Sequence, residues 1–203
     1  MSRTNRIAAR TMGAVAVVAL GLSLGACSGG SAPAAAPSES VSATASPSPT
    51  ELSPEEEAIA QAEPLVSQYF QMKDEAMQDP AAFRHQQFEK VAIGTAQNDL
   101  KRFHGAAGEQ GLHQTGVTEI VSLDVDKVDL TFNPKVTPPE IPYVDFNVCY
   151  DVTNLDTVDE AGDSIIPADR KDRGVIRVGV ANYDYPDGPW LVAYTEYLKD
   201  KSC

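Results

Sequence analysis

The sequence predicts a single α+β domain in which N-terminal helices pack on one face of a bent antiparallel sheet. Apolar residues recur at helical spacing in the first part of the region 54–203, and they alternate with polar residues in its second part. The period changes after Gly108–Gly111, a stretch that is typical of a helix end. A region of this length can bury a hydrophobic core without the help of a metal.

The first helix is predicted to begin at Ser53, because a proline follows it and Glu56 stands at the spacing of a capping box. Its apolar stripe consists of Ile59, Ala62, Val66, Tyr69 and Phe70. Pro64 interrupts the hydrogen-bond ladder, so we expect a kink or a short break near Ala62–Glu63.

Two more helical segments are predicted before the sheet. Asp79-Pro80 repeats the cap-and-proline signature and would open a second helix that carries Phe83, Phe88 and Val91. The third segment begins near Thr95 and ends near Gly108–Gly111. Its apolar side consists of Ala96, Leu100 and Phe103.

The first long strand shows a shift of phase along its length. One of its faces begins with Val121, Leu123 and Val125, opposite Ser122, Asp124 and Asp126. Further along, the alternating apolar residues are Val128, Leu130 and Phe132, which are shifted by one position relative to the first set. A bulge near Asp126–Lys127 explains this shift and would bend the strand.

The clearest strand of the chain follows the Pro134–Pro142 connection. Its apolar face consists of Val144, Phe146, Val148, Tyr150 and Val152, and its polar face of Asp145, Asn147, Cys149 and Asp151. Residues 157–166 then indicate a small ribbon with a turn at 159–162. The last two strands are predicted at Val175–Tyr183 and Trp190–Leu198, separated by the turn residues Pro186-Asp187-Gly188.

Residues 1–26 are typical of an export signal. Three arginines precede an uncharged apolar run from Met12 to Leu24. This run is shorter than the roughly 20 residues of a bilayer span, which disfavours an uncleaved membrane anchor. Small residues stand directly before a cysteine in Leu24-Gly25-Ala26-Cys27. This pattern resembles the lipobox of bacterial lipoprotein precursors.

The lipobox resemblance implies a diacylglycerol on the thiol of Cys27, cleavage before it, and acylation of the new amine, for example by palmitate. It places the protein at the extracytoplasmic face of the cell membrane. Several acyl chains anchor a protein stably, whereas one does not. Plain secretion with a free Cys27 thiol and an uncleaved signal anchor are the alternatives.

Residues 27–53 are predicted to form a disordered linker, because Ser, Ala, Pro, Thr and Gly dominate them and Glu39 and Glu51 are their only charges. Removal of residues 1–26 takes away three arginines and changes the formal net charge from −13 to −16. This acidity argues against nucleic acid as a partner. It also argues against a domain that lies on anionic lipids, so the acyl anchor would be the contact with the membrane.

Once Cys27 is assigned to the lipid, two cysteines remain. Export places Cys149 and Cys203 in an oxidising compartment, where an even number indicates a disulfide. A bond between them would staple the C-terminal tail to the sheet and contribute about 4 kcal/mol through loop closure. A redox pair is the alternative, but the chain has no Cys-x-x-Cys motif and no cation next to Cys149 in sequence.

Motifs for metal or cofactor chemistry are absent from the region 54–203. His85, His104 and His113 do not form a zinc-binding spacing, and we expect His85 and His104 on helix surfaces. The region contains no Gly-x-Ser-x-Gly and no phosphate-binding loop. The acidic run between Asp156 and Asp172 does not match an EF-hand and is predicted to be a solvated loop. We therefore predict no metal and no cofactor.

Helices followed by a bent antiparallel meander are similar in order to the nuclear transport factor 2-like superfamily, which includes ketosteroid isomerase and SnoaL-like proteins. The resemblance covers Glu55 to Leu198, and it rests on the element order, the bulge and the terminal strand that contains Trp190. It implies a curved sheet that wraps over its helices and forms a cone. The whole arrangement also resembles small actinobacterial lipoproteins.

Asp145, Asn147 and Asp151 share one strand face. If that face lined the interior of a cone, a buried carboxylate there could act as a base with a raised pKa. The alternation instead favours contact with water for these residues, while Phe146 and Tyr150 meet the helices. No Tyr/Asp pair matches the family's catalytic positions, so no catalytic residue is predicted.

Three functions remain open at this stage. The leading hypothesis is a non-catalytic, membrane-tethered domain that binds another protein or serves the cell envelope. The second is a carrier of a small apolar ligand in a pocket between helices and sheet, with candidate lining residues Phe83, Phe103, Phe146, Tyr150 and Trp190. The third is an isomerase- or hydrolase-like enzyme built on Asp145 or Asp151.

Overall fold

The computed structural model describes residues 51–203 and has an α+β fold. The signal peptide, Cys27 and the linker up to residue 50 lie outside the described residues. The helices are α1 (Pro54–Gln78), a 3₁₀ helix (His85–Lys90) and α2 (Gly94–Glu109). The strands are β1 (His113–Thr115), β2 (Glu119–Asp129), β3 (Tyr143–Asp151), β4 (Asp156–Val158), β5 (Arg173–Ala181) and β6 (Leu191–Tyr197). None of the helices in this part of the chain is long and apolar enough to cross a bilayer.

Helix α1 begins at the predicted capping box. The amide of Glu56 donates to Ser53 Oγ at 3.2 Å, and the amide of Ser53 donates to Glu56 Oε2 at 2.7 Å. The expected break near Ala62–Glu63 is wrong, because the helix continues through Pro64. Pro64 lies on the exposed side, where water can reach the carbonyl it leaves free, and buried residues before and after it hold the helix on the core.

The predicted helix after Asp79-Pro80 is also wrong. Asp79 ends α1 and forms a turn instead, in which Asp79 Oδ1 accepts from the amide of Ala82 at 3.0 Å. Between α1 and α2 the structure has only the short 3₁₀ helix. The turn reverses the chain within a few residues and brings the ring of Phe83 to 4.8 Å from that of Phe88, which a straight helix would not allow.

Helix α2 lies where the sequence predicts it, but its buried face differs by one position. Its buried residues are Ala96, Leu100, His104 and Ala107. This spacing of three and four residues carries His104 to the core and leaves Phe103 52% exposed beneath the guanidinium of Arg102. The expected core position of Phe103 and surface position of His104 are therefore both corrected.

The main sheet is a four-stranded antiparallel meander of order β2-β3-β5-β6. The predicted bulge is confirmed by a register shift between Val125 and Lys127, and a second irregularity separates Ile120 from Ser122. These shifts rotate the strand locally, so Val121 and Val125 are exposed, contrary to the predicted face. The β2 residues that pack against the core are Ile120, Leu123 and Val128.

The core lies between one face of this sheet and the two α-helices. The apolar face of β3 is buried as predicted, with Val144, Phe146 and Val148 fully inaccessible to solvent. The buried apolar surface continues onto β5 and β6, where it consists of Ile176, Val178, Val180 and Val192. The helices α1 and α2 contribute apolar side chains to the same core: Val66, Tyr69, Phe70, Ala96 and Leu100. The opposite face of the same sheet, which we call the outer face, carries the polar residues of β3.

A second, two-stranded sheet pairs β4 with β1, a short strand that the sequence analysis did not predict. The ribbon turn after Val158 is closed by an antiparallel bridge to Ser164. The outer face of the main sheet is crossed by the C-terminal tail, because Cys149 and Cys203 form the predicted disulfide with Cα atoms 6.0 Å apart.

Candidate binding site on the outer face

The site is built on a row of three residues across the middle of the sheet. Asp145 on β3 is the register partner of Gly179 on β5, which is in turn the partner of Tyr194 on β6. The ring of Tyr194 lies directly over Gly179, where a Cβ atom would stand 2.5 Å from Cζ of the ring. The tyrosine hydroxyl thereby reaches β3 and donates to Asp145 Oδ1 at 2.5 Å.

Asp145, at the β3 end of this row, is only 7% exposed. Burial raises the pKa of its carboxyl group, while the hydrogen bond from Tyr194 and the charge of Arg177 act in the opposite direction. Burial and the bond to Asp145 also raise the pKa of Tyr194. The tyrosine therefore remains a protonated donor, and one carboxylate oxygen is held in a fixed position.

A second row lies next to the first and is formed by polar and charged side chains. Asn147, Arg177 and Glu196 are register partners on β3, β5 and β6. Arg177 contacts Glu196 Oε2 at 3.1 Å and Asp126 Oδ2 at 3.2 Å. Asn147 donates to Asp126 Oδ1 at 2.7 Å. Asp126 is the extra residue of the β2 bulge, so the irregularity supplies a carboxylate to this row.

A cavity of about 480 Å³ opens over the first row at the end of the outer face. Its walls come from the ends of β2, β5 and β6 and from the connection between β2 and β3. The lining residues are Asp129, Thr131, Pro139, Glu140, Ile141, Tyr143, Asp145, Ala181, Tyr183, Ala193 and Tyr194. The cavity thus combines three tyrosine rings with three carboxylates, and its size lies in the range of small-molecule sites.

Lys127 shows how a cation interacts with this lining. Its ammonium lies 4.8 Å from the ring centre of Tyr143 and donates to the hydroxyl of the same residue. It also lies 3.6 Å from Asp129 Oδ2. These contacts raise the pKa of Lys127, chiefly through Tyr143.

The three polar residues predicted on one strand face are separated by the structure. Asp145 lines the cavity, and Asn147 belongs to the neighbouring charged row. Asp151 lies at the far end of β3, where it forms an ion pair with Arg173 at 2.6 Å. Hydrogen bonds from Thr153 and this ion pair lower the pKa of Asp151 to about 2. Asp151 is therefore an ionised surface group and does not line the cavity.

The five residues predicted to line an apolar ligand pocket do not share one cavity. Phe146 and Trp190 are buried in the core, and Phe83 packs against it. Phe103 is exposed on α2. Tyr150 is half-buried beside Tyr197 and lines a separate cavity at the C-terminal tail.

Two histidines form a pair that the sequence analysis did not predict. His85 Nε2 and His104 Nδ1 lie 2.7 Å apart, and His104 Nε2 lies 3.0 Å from the carbonyl oxygen of Pro80. Burial and the neighbouring His85 lower the pKa of His104. The acidic run near Asp159 closes turns through backbone amides. Within residues 51–203, no three His, Cys, Asp or Glu side chains are grouped in a way that could hold a metal ion.

The sequence analysis missed the tyrosines of the cavity, Tyr143, Tyr183 and Tyr194. One signal for them is present in the sequence: Gly179 interrupts an apolar strand between Val178 and Val180. An isolated glycine in a strand indicates the close approach of another group. Here that group is the ring of Tyr194.

No family model matches the chain, and no curated protein matches it. Among solved structures, the intermembrane space region of the chloroplast protein ARC6 aligns with a TM-score of 0.45 and 15% sequence identity, over 68% of this chain and 94% of that chain. The site is therefore interpreted from its own side chains.

Proposed function

We propose that the chain is a lipid-anchored protein of the cell envelope whose extracytoplasmic domain is a non-catalytic binding module. Its partner binds in the outer-face cavity. The observation that carries the proposal is the cavity itself, in which a carboxylate that is 7% exposed lies at the floor beneath tyrosine side chains. Core residues fill the middle of the space between the helices and the sheet, and a cavity of about 430 Å³ lies at its edge, between α1 and the start of β2. The outer-face cavity is the one of these two that tyrosine side chains line.

The anchoring part of the proposal rests on Leu24-Gly25-Ala26-Cys27 after a basic and apolar leader. Its test is the fractionation of cells that produce the full chain. We expect the parent and a Ser28→Ala control in the membrane fraction, and Cys27→Ser in the soluble fraction or retained as the uncleaved precursor. Membrane association of a cleaved Cys27→Ser protein would exclude the lipid anchor.

The binding part of the proposal is tested by photocrosslinking in intact cells. A photoreactive phenylalanine analogue replaces either Tyr183, which lines the cavity and is 45% exposed, or Tyr197, which is 57% exposed elsewhere. We expect a defined adduct from position 183 and none of the same mass from position 197. Identical adducts at both positions, or none at position 183, would contradict a binding role for the cavity.

A second candidate function is supported by Asp145 alone. Its raised pKa and its burial are properties of a general base in an enzyme. An Asp145→Asn variant distinguishes the two functions once a ligand is known, because asparagine can still accept the hydrogen bond from Tyr194. If the domain is an enzyme, the parent converts the ligand, and the variant still binds it, with a higher Kd, but does not turn it over. If the domain is a non-catalytic module, the parent itself releases the ligand chemically unchanged.

A further inference from the structure

The charges around the cavity are unbalanced. Five carboxylates and two cationic side chains stand on this part of the outer face, which leaves an excess of three negative charges: Asp126, Asp129, Glu140, Asp145 and Glu196 against Lys127 and Arg177. Both cations are already engaged. Lys127 is paired with Asp129, and Arg177 is shared between Asp126 and Glu196.

Two carboxylates of the cavity are left without a cation. In the part of the chain that the structure describes, the ion pairs do not include Asp145 or Glu140. Asp145 accepts the hydroxyl of Tyr194 through Oδ1, and its Oδ2 receives no hydrogen bond from residues 51–203. A carboxylate that is 7% exposed and has a free oxygen in a cavity is a site where a cationic donor would be favourable.

Aromatic rings form the other half of the lining. Tyr143, Tyr183 and Tyr194 line the cavity, and tyrosine rings can attract a cation through their quadrupole. Lys127 shows that a cation is accepted beside this lining, since its ammonium donates to the hydroxyl of Tyr143. A neutral apolar ligand would desolvate Asp145 without replacing its lost hydration, and a phosphate would be repelled by the carboxylates.

We propose that the outer-face cavity binds a small organic ammonium ion, with its nitrogen near Asp145 and Glu140 and its carbon atoms against the tyrosines. This inference rests on the proposed function, because it names the ligand class of the same cavity. A volume of about 480 Å³ suits a compact free molecule.

The test is a titration of the purified full chain in detergent, followed by isothermal calorimetry and by NMR of the tyrosine side chains. The probes are choline, butylammonium and 3,3-dimethylbutan-1-ol, the neutral carbon analogue of choline. We expect saturable binding of at least one ammonium probe, with a Kd at least about tenfold lower than that of the neutral alcohol. If neither ammonium probe binds, or if neither binds more tightly than the neutral alcohol, the inference is overturned.

Variants localise the binding. Asp145→Asn and Glu140→Gln should each raise the Kd of the ammonium probe several-fold, since each removes a charge and preserves the shape of the side chain. The matched control is Asp163→Asn, an exposed carboxylate in the ribbon turn, and it should leave the Kd unchanged. If all three variants bind equally, the ammonium does not occupy this cavity and the inference fails.

Three further outcomes separate this inference from the proposed function. A lysine-containing tripeptide that binds more tightly than butylammonium would overturn the small-molecule form and assign the cavity to a protein side chain. Adducts at position 183 without ammonium binding would leave the cavity a binding site and refute only its ligand class. Loss of both signals would refute the proposed function as well.

Discussion

A single glycine makes the contact between Asp145 and Tyr194 possible. The two side chains belong to strands that are not neighbours, and β5 lies between them. Only a residue without a Cβ atom at position 179 lets an aromatic ring cross the middle strand and reach the far carboxylate. The absence of a side chain at Gly179 thus allows the hydroxyl of Tyr194 to donate to Asp145 in the cavity.

We predict that Gly179→Ala destabilises the domain by about 1–3 kcal/mol, because the added methyl group would overlap the ring of Tyr194 and force it off Asp145. Urea unfolding measures the loss. Gly105→Ala is the control: it lies inside α2 with no heavy atom within 4 Å of an added Cβ, and should gain about 0.5–1 kcal/mol. Equal stability of Gly179→Ala and the parent would disprove the close approach.

The histidine pair predicts a pH dependence of stability. If His104 Nε2–H donates to the carbonyl of Pro80, Nδ1 accepts from His85, and a second proton on His104 breaks that bond. Because the pKa of His104 is lowered in the folded state, the unfolded chain binds more protons below about pH 6.5. Stability is therefore fully present above this pH and is lost as the pH falls toward the folded-state pKa.

The measurement is the urea midpoint between pH 7.5 and 5 for the parent, His104→Gln and His113→Gln. The parent and His113→Gln should lose stability over this range. His104→Gln should have a lower midpoint at pH 7.5 and a flatter profile. A profile for His104→Gln as steep as that of the parent would mean that another group controls the dependence.

At the scale of elements, one carboxylate attaches α1 to the chain that enters the sheet. Asp74 is buried and accepts from the amide of Thr118 at 2.6 Å, from the hydroxyl of the same residue at 3.0 Å and from Gln114 Nε2 at 2.9 Å. In these contacts each partner donates, so the two oxygens of the carboxylate accept every bond, whereas an asparagine would accept through one oxygen alone. The helix is therefore held in place by polar contacts as well as by the core.

We predict that Asp74→Asn lowers the free energy of unfolding by about 1–3 kcal/mol, since it replaces one acceptor oxygen of this buried site by an NH₂ group. Chemical denaturation with Glu75→Gln as control measures the effect. Glu75 is the exposed neighbour, and its side chain accepts a hydrogen bond from Gln71 on the same helix, so its variant should change little. Comparable losses in both variants would show that the attachment is not specific to Asp74.

The elements that the sequence predicted well are those with a strong local pattern. The capping box at Ser53 and the alternation of β3 depend on neighbouring residues, and both are confirmed. The turn after Asp79 and the burial of His104 depend on tertiary contacts, and there the prediction was wrong. Asp79 does accept a capping hydrogen bond from Ala82, but a single turn follows it and no α-helix continues there.

At the scale of the whole molecule, the polar face of the sheet could be predicted, but the cavity could not. Alternation alone places Asp145 opposite the core. The neighbours of Asp145 across the sheet depend on register, on the bulge that presents Asp126, and on the chain connection that carries Glu140. The phase shift along β2 indicates the bulge, but no local pattern encodes the strand register or the position of the connection, and so the tyrosines of the cavity were not predicted.

The disulfide links the end of the chain to the centre of the sheet, over a sequence separation of 54 residues. We predict that Cys203→Ser lowers the free energy of unfolding by up to about 4 kcal/mol, because the unfolded chain regains the entropy of that loop. Urea unfolding of the full chain measures this loss, and reduction of the parent by dithiothreitol should reproduce it. Ser202→Ala is the matched control and should unfold like the parent.

The same variant tests whether the tail and the cavity are independent. The tail lines a different part of the outer face, next to Ser122 and Val175, and contributes no residue to the cavity lining. Cys203→Ser should therefore leave the Kd of an ammonium probe unchanged, when the Kd is measured without urea at a temperature where the variant stays folded. A change in Kd of tenfold or more would show that the stapled tail positions the row of Asp145, and that its loss reaches the site through the sheet.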